Sequence, residues 1–238
     1  MNQSTITVQR AGERFFTDAG WLNSWHNFNF GNHYSPAHQG HGLLLVNNDD
    51  VVAPGQGFGT HGHRDMEIVT WVLSGRLEHR DSEGNHGVLF PGLAQRMSAG
   101  TGIRHSEMNA STTEPVHFVQ MWVLPDTQGV APGYEQSDLT NALRSGNFVA
   151  IASGQGHEGA VGIHQQGAVL WGARLGSDGQ VTIPTAPKVH VYVAAGDGEL
   201  DRVGALSTGD AVRFTNPAAG LRFAATSQGA ELLVWATD

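Results

Sequence analysis

The aliphatic and β-branched residues of this chain fall in short runs. "EIVTWVLS", "HFVQMWV", "KVHVYVAA" and "AELLVWAT" are examples, each closed by glycine, proline or polar residues. Runs of this length suit strands, and none approaches the length of a bilayer span. The 32 glycines and nine prolines supply the turns that such a chain needs. An all-β fold is expected. At 238 residues the chain has room for one large domain or two small ones.

Read along the chain, "STITVQ" and "GLLLVNNDDVVAPGQGFG" look like strands, the second broken by a turn at "NNDD". Between them, "GWLNSWHNFNFGNHYSPAHQGHG" keeps neither strand alternation nor helical spacing and reads as irregular. Short strands crowd the stretch from Glu67 to Trp122, with "SEGN" as a turn between paired strands. "DTQGVAPGYEQSDLTNALRSGN" is polar and reads as a connector, with one helical turn that Asp138 caps and Gly146 ends. The second half then repeats the texture of the first. The expected division is an N-terminal metal-binding domain over 1–130, a connector over 131–147 and a C-terminal domain over 148–238.

Charge and composition exclude several functions. Acidic residues outnumber basic ones 22 to 13, for a net charge of -9, and no lysine or arginine run offers a footprint for nucleic acid. The chain has no cysteine, so disulfides, thiolate ligands and thiol nucleophiles are ruled out. Its first residues lack the basic and apolar regions of a secretory signal, so a cytoplasmic location without membrane contact is expected.

Two short pairs carry the chemistry. His61 and His63 stand two residues apart in "GTHGHRD", and His105 and Glu107 repeat that step in "GIRHSEMN". Alternate residues of a strand share a face, so each pair aims at one spot if its segment is extended. Two such strands crossing one barrel would bring three imidazoles and a carboxylate together. Three nitrogens and one oxygen suit a first-row divalent ion, and four protein ligands on an octahedral ion leave two positions open for chemistry.

"GQGFGTHGHRDMEIVTWVLSGRLEHRDSEGN" and "MSAGTGIRHSEMNAS" resemble the two signature blocks of the pirin family, within the cupin superfamily, in its bacterial quercetinase-like branch. The likeness runs from "GWLNSWHNFNFGNHY" through "PGYEQ". It implies a bicupin, two β-barrel domains packed face to face, with metal in the N-terminal one. His61, His63, His105 and Glu107 would be its ligands. Iron is the first choice of metal, with manganese, nickel, cobalt, copper and zinc as alternatives. The implied activity is that of a metal-dependent dioxygenase, opening the heterocycle of a flavonol such as quercetin, or of a related enol, with release of carbon monoxide. The partners are then a small planar aromatic substrate and dioxygen, with Glu107 also placed to accept the substrate's hydroxyl proton. The family also includes transcriptional co-regulators, so a metal-binding regulatory protein acting through a protein partner is the alternative.

In the second half His157, His164 and His190 begin no comparable pair, and that barrel is expected to be metal-free. Glu67, four residues after His63, stands where general cupins place a ligand; it is expected to line the pocket or support the ligands. Gly62 occupies a position where the family often has proline. His26, His33, His38 and His41 are candidates for the pocket mouth, and a monomer is expected.

Overall fold

The computed structural model describes residues 4–238. Its strands, in chain order, are β1 (Thr5–Gln9), β2 (Phe15–Asp18), β3 (Leu22–His26), β4 (Leu44–Val52), β5 (Gly57–His63), β6 (Glu67–Ser74), β7 (Leu77–Asp81), β8 (His86–Leu89), β9 (Leu93–Ser98), β10 (Ile103–Asn109), β11 (Val116–Val123) and β12 (Gly133–Asp138). They continue with β13 (Val149–Ser153), β14 (Val161–Gly162), β15 (Ala168–Leu175), β16 (Gln180–Thr182), β17 (Lys188–Leu200), β18 (Gly204–Ser207), β19 (Ala211–Thr215) and β20 (Arg222–Thr237). Helix is confined to short 3-10 turns, and no helix among the described residues is long and apolar enough to cross a membrane.

In the first half a seven-stranded sheet, ordered β12-β9-β6-β11-β4-β3-β2, faces a four-stranded sheet ordered β5-β10-β7-β8. Val72, Leu77, Leu89 and Phe118 fill the closed end of this sandwich. The second half is a nine-stranded sheet, β1-β19-β17-β20-β15-β13-β14 with β16 and β18 paired at its side, around a core that includes Val191, Phe214, Phe223 and Leu232. A third core lies between the halves, where Phe28, Trp71 and Met121 meet Ile151, Tyr192 and Trp235. Trp71 also donates its indole N–H across the seam to Glu231, at 2.7 Å.

This seam explains the continuous apolar runs. β6 and β11 are covered on both faces: Val69, Trp71, Val119 and Met121 turn to the seam, while Val72 and Phe118 turn into the first sandwich. A strand buried on two sides loses its polar alternation and reads as a solid hydrophobic stretch.

Three features differ from the sequence reading. "NNDD" is no turn but the middle of β4, with Asn47, Asn48, Asp49 and Asp50 all buried. The strand survives because each side chain is partnered: Asn47 donates to Asn27 (2.8 Å), Asn48 accepts from His26 (2.8 Å), Asp50 accepts from Ser24, and Asp49 collects Arg14, Tyr192 and His117. In the segment read as irregular, Leu22–His26 is a strand whose polar Ser24 and His26 point inward, which erases the usual outside-polar pattern. In the segment read as a connector, Gly133–Asp138 pairs along β9, and only the 3-10 turn Ala142–Ser145, closed by Gly146 at φ 68°, matches the helical turn foreseen there. Thr5–Gln9 pairs with β19, so the first strand lies in the sheet of the second half.

Asp49 ties the halves together. Arg14 Nη1 stands 2.9 Å and the Tyr192 hydroxyl 2.6 Å from its Oδ2. Burial alone would raise its pKa, but hydrogen bonds from His117, Arg14 and Tyr192 win and hold it below the ordinary carboxylate value. Replacing Asp49 by Ala strands the buried Arg14 guanidinium and is expected to cost about 3–5 kcal/mol, read as a lowered Tm by calorimetry. Because the folded pKa is depressed, the stability that Asp49 contributes is lost as pH falls through it. The gap between wild type and variant should therefore close in acid.

Candidate metal centre and its cavity

β5 and β10 run antiparallel with His61 opposite His105 and His63 opposite Ile103. A register shift after His105 puts Glu107 opposite Phe58. The strands approach closely there: a Cβ on Gly57 would lie 2.2 Å from the Glu107 carbonyl oxygen, so only glycine fits. His61, His63 and His105 each bring a ring nitrogen to within 4.8 Å of the others, and the Nε2 atoms of His61 and His105 are 3.1 Å apart.

The imidazoles are prepared for a cation. His61 Nδ1–H donates to the Gly59 carbonyl at 2.8 Å, which leaves its Nε2 lone pair free. His63 Nε2 is buried with no hydrogen-bond partner, an arrangement that a bound ion would satisfy. Burial, with the neighbouring imidazoles adding to it, takes His63 down to about 4 and His105 down to about 3, so both are neutral donors near neutral pH. The three residues thus fit a first-row divalent ion.

Glu107, 1% exposed, sits on the same sheet. Both its oxygens accept from Gln120 Nε2, at 3.0 and 2.8 Å, and Gln120 is in turn fixed by the Trp122 indole N–H at 3.0 Å. One Glu107 oxygen falls within 4.8 Å of His105 and His79 nitrogens, a second grouping that shares His105 with the first. The sequence alone did not single out His79. In the fold it lies opposite Glu107 on β7, with Nε2 3.2 Å from the Asp81 carboxylate and Nδ1 3.4 Å from His105 Nδ1. Asp81 thus sets the His79 tautomer. His79 can then accept from His105 Nδ1, leaving the His105 Nε2 lone pair toward His61. "EHRDS" held the signal: an H-x-D step places histidine and carboxylate on one face.

Glu67 is not in this cavity. It accepts from Ser98 (2.8 Å) and from the His164 backbone N–H (3.2 Å), facing the second half. Strand parity does not carry over from His63, because Asp65 at φ 46° turns the chain from β5 into β6 of the other sheet.

His61, His63 and Glu107 line a cavity of about 770 Å³. Phe16, Trp21, Phe30, Phe58 and Trp122 give it aromatic walls, and one side is polar. There Ser24 donates to Asp50, His26 contacts Asn48, and the Thr17 hydroxyl joins His26 Nε2 (3.0 Å) to His33 Nε2 (2.9 Å). Burial raises Asp50 to about 7; the Ser24 hydrogen bond opposes this, while the charges of Asp49 and Glu107 reinforce it. Of the four mouth candidates, His26 and His33 line this cavity, and His38 and His41 line another.

Two face-packed β-barrels, with a histidine cluster opening on an aromatic cavity in the first, define a bicupin of the metal-binding kind. Residues 7–123 match the Pirin family and residues 150–235 the family described as Quercetinase C-terminal cupin domain. The chain belongs to the pirin family. A Mycobacterium tuberculosis protein provisionally called a quercetin 2,3-dioxygenase is 52% identical over 98% of this chain and 95% of its own length. The quercetin 2,3-dioxygenase of Escherichia coli K12 is 43% identical over 86% and 87%. The crystal structure of YhhW from Escherichia coli superimposes with a TM-score of 0.90 at 38% identity, covering 98% of each chain. The structure of this bacterial pirin in complex with nickel(II) gives 0.87 at 37% identity, covering 97% of this chain and 98% of its own.

Two stability tests follow from the site. Asp50 has a folded pKa above its ordinary 3.8, so between 3.8 and about 7 the native state holds a proton that the unfolded chain releases. Its contribution to stability is therefore lost as pH rises. Asp50→Asn should raise Tm over wild type at pH 8, by the equivalent of up to about 4 kcal/mol, with the advantage vanishing near pH 4. At Gly62 the nearest atom to an added Cβ is 3.7 Å away and φ lies outside the left-handed region. Gly62→Ala should therefore add about 0.4–1 kcal/mol in denaturant titration without loss of metal binding.

Proposed function

We propose that this chain is a metal-dependent dioxygenase acting on flavonols or closely related planar enols. One observation carries the reading: three imidazoles, one with an unpartnered buried nitrogen, converge at the wall of an aromatic cavity sized for a small multi-ring ligand. The names of the relatives in Mycobacterium and Escherichia support the same substrate class. His61, His63, His105 and Glu107 are the proposed ligands. Their N3O set accepts iron, the metal expected from the family resemblance, and equally nickel, which the Escherichia coli pirin binds.

When bound, the metal supplies Lewis acidity that favours the enolate form of a coordinated hydroxyl and a path for electrons to dioxygen. The chain's own residues do the rest. Trp21 and Phe58, edge to face at 5.2 Å, and Phe30 and Trp122, at 5.6 Å, hold the substrate's planar rings and exclude water. Glu107 takes the enol proton onto a carboxylate oxygen, so its negative charge passes to the substrate oxygen, and Gln120 and Thr70, both donating to Glu107 Oε1, keep the carboxylate aimed. Asp50, Ser24 and His26 meet hydroxyl groups at the polar side. Both atoms of dioxygen enter the products, the heterocycle opens and carbon monoxide leaves.

The test is loss of flavonol absorbance with matched oxygen uptake, on protein reloaded in turn with iron, nickel, manganese, cobalt, copper and zinc. His61→Ala and Glu107→Ala should lower kcat/KM by more than about 100-fold, and Glu67→Gln should retain turnover. His79→Gln should weaken metal affinity about 10–100-fold in chelator competition. Absence of oxygen uptake with every metal would sink the reading.

A further inference from the structure

A second cavity, of about 620 Å³, shares no lining residue with the first. It lies where β1 docks on β19, and its walls include Thr7, Gln9, His38, His41, Arg213 and Thr215. Arg213, 8% exposed, has no carboxylate partner among the described residues. Its guanidinium stacks over Phe28 at 5.6 Å and donates from Nη1 to the Ala37 carbonyl at 3.2 Å, while Nε is buried and unpartnered. Gln9, 2% exposed, accepts through Oε1 from Asn27 at 3.1 Å and has its Nε2 amide buried and unpartnered. His38 Nδ1 is unpartnered as well.

Buried donors without acceptors are costly, and a buried guanidinium without a counter-ion more so. Lys188, whose ammonium donates to Thr215 at 3.0 Å, adds positive charge at the rim. The carboxylate in the lining is Glu13, and one of its oxygens is already taken by the Arg10 backbone N–H at 2.7 Å. A chain of net charge -9 thus keeps a basic, donor-rich chamber between its two halves.

We infer that this chamber is a binding site for a small oxyanion, a carboxylate or a phosphate, received side-on by the Nε–Nη2 edge of Arg213 with Gln9 Nε2 as second donor. That edge presents two parallel N–H groups, the pattern that matches two oxygens of one anion. His38 and the threonine hydroxyls complete the rim and adapt to either anion. Because β1 and β19 both line the chamber, its occupant also fastens the N-terminal strand to the second half.

The full chain is tested by thermal unfolding and titration calorimetry with acetate, succinate and inorganic phosphate, against sodium chloride at equal ionic strength. A saturable rise in Tm with an oxyanion but not with chloride is expected, and the anion that responds tells carboxylate from phosphate. Arg213→Met should abolish the response while leaving the metal content of the first site unchanged. If that variant does not fold, Gln9→Met serves instead, with affinity weakened about tenfold. Equal responses to oxyanions and chloride, or a response undiminished in both variants, would overturn the inference.

Discussion

The pairing of β5 with β10 is the constraint on which the site depends. Side chains of a strand alternate between faces, so the register that sets His61 opposite His105 also decides that His63 and Glu107 point inward. A slip of either strand by one residue would turn its own pair outward and part it from the other pair. Gly57 lets the strands close to contact, and the bulge after His105 re-aims Glu107 toward Gln120. From that register the rest follows outward: Trp122 holds Gln120, Gln120 holds Glu107, and Asp81 holds His79 against His105.

β4 serves two environments at once. Asn47 and Asp49 turn to the seam, where they meet Asn27, Arg14 and Tyr192; Asn48 and Asp50 turn to the cavity. Four consecutive buried polar residues would ordinarily disfavour a strand. Here each has a partner on a neighbouring element, and between them the four residues line the seam and furnish the polar side of the aromatic cavity.

The strand-rich architecture was legible because burial of β6 and β11 on both faces writes itself as solid apolar runs, and the histidine pairs were legible because their step of two is the period of a strand. What escaped reading depended on partners distant in sequence. "NNDD" looks like a turn until Ser24, His26, Asn27 and Tyr192 are supplied. Glu67 has the right parity only if the chain does not turn, and Asp65 turns it. His79 shows its role only once β7 is seen to flank β10. β12 is polar because it is an edge strand, and a polar strand imitates a linker.

The strand β1 has a partner far downstream of it in the chain. Thr5 lies opposite Thr215 and Gln9 opposite Ala211, so β1 has no partner strand until β19, far along the chain, has been synthesised. Until then β1 must stay unpaired, with its edge open. Closing so long a loop is a late and slow event. For the same reason, cutting the chain between its two halves would not yield two self-sufficient proteins: the downstream fragment would be born without the outermost strand of its sheet.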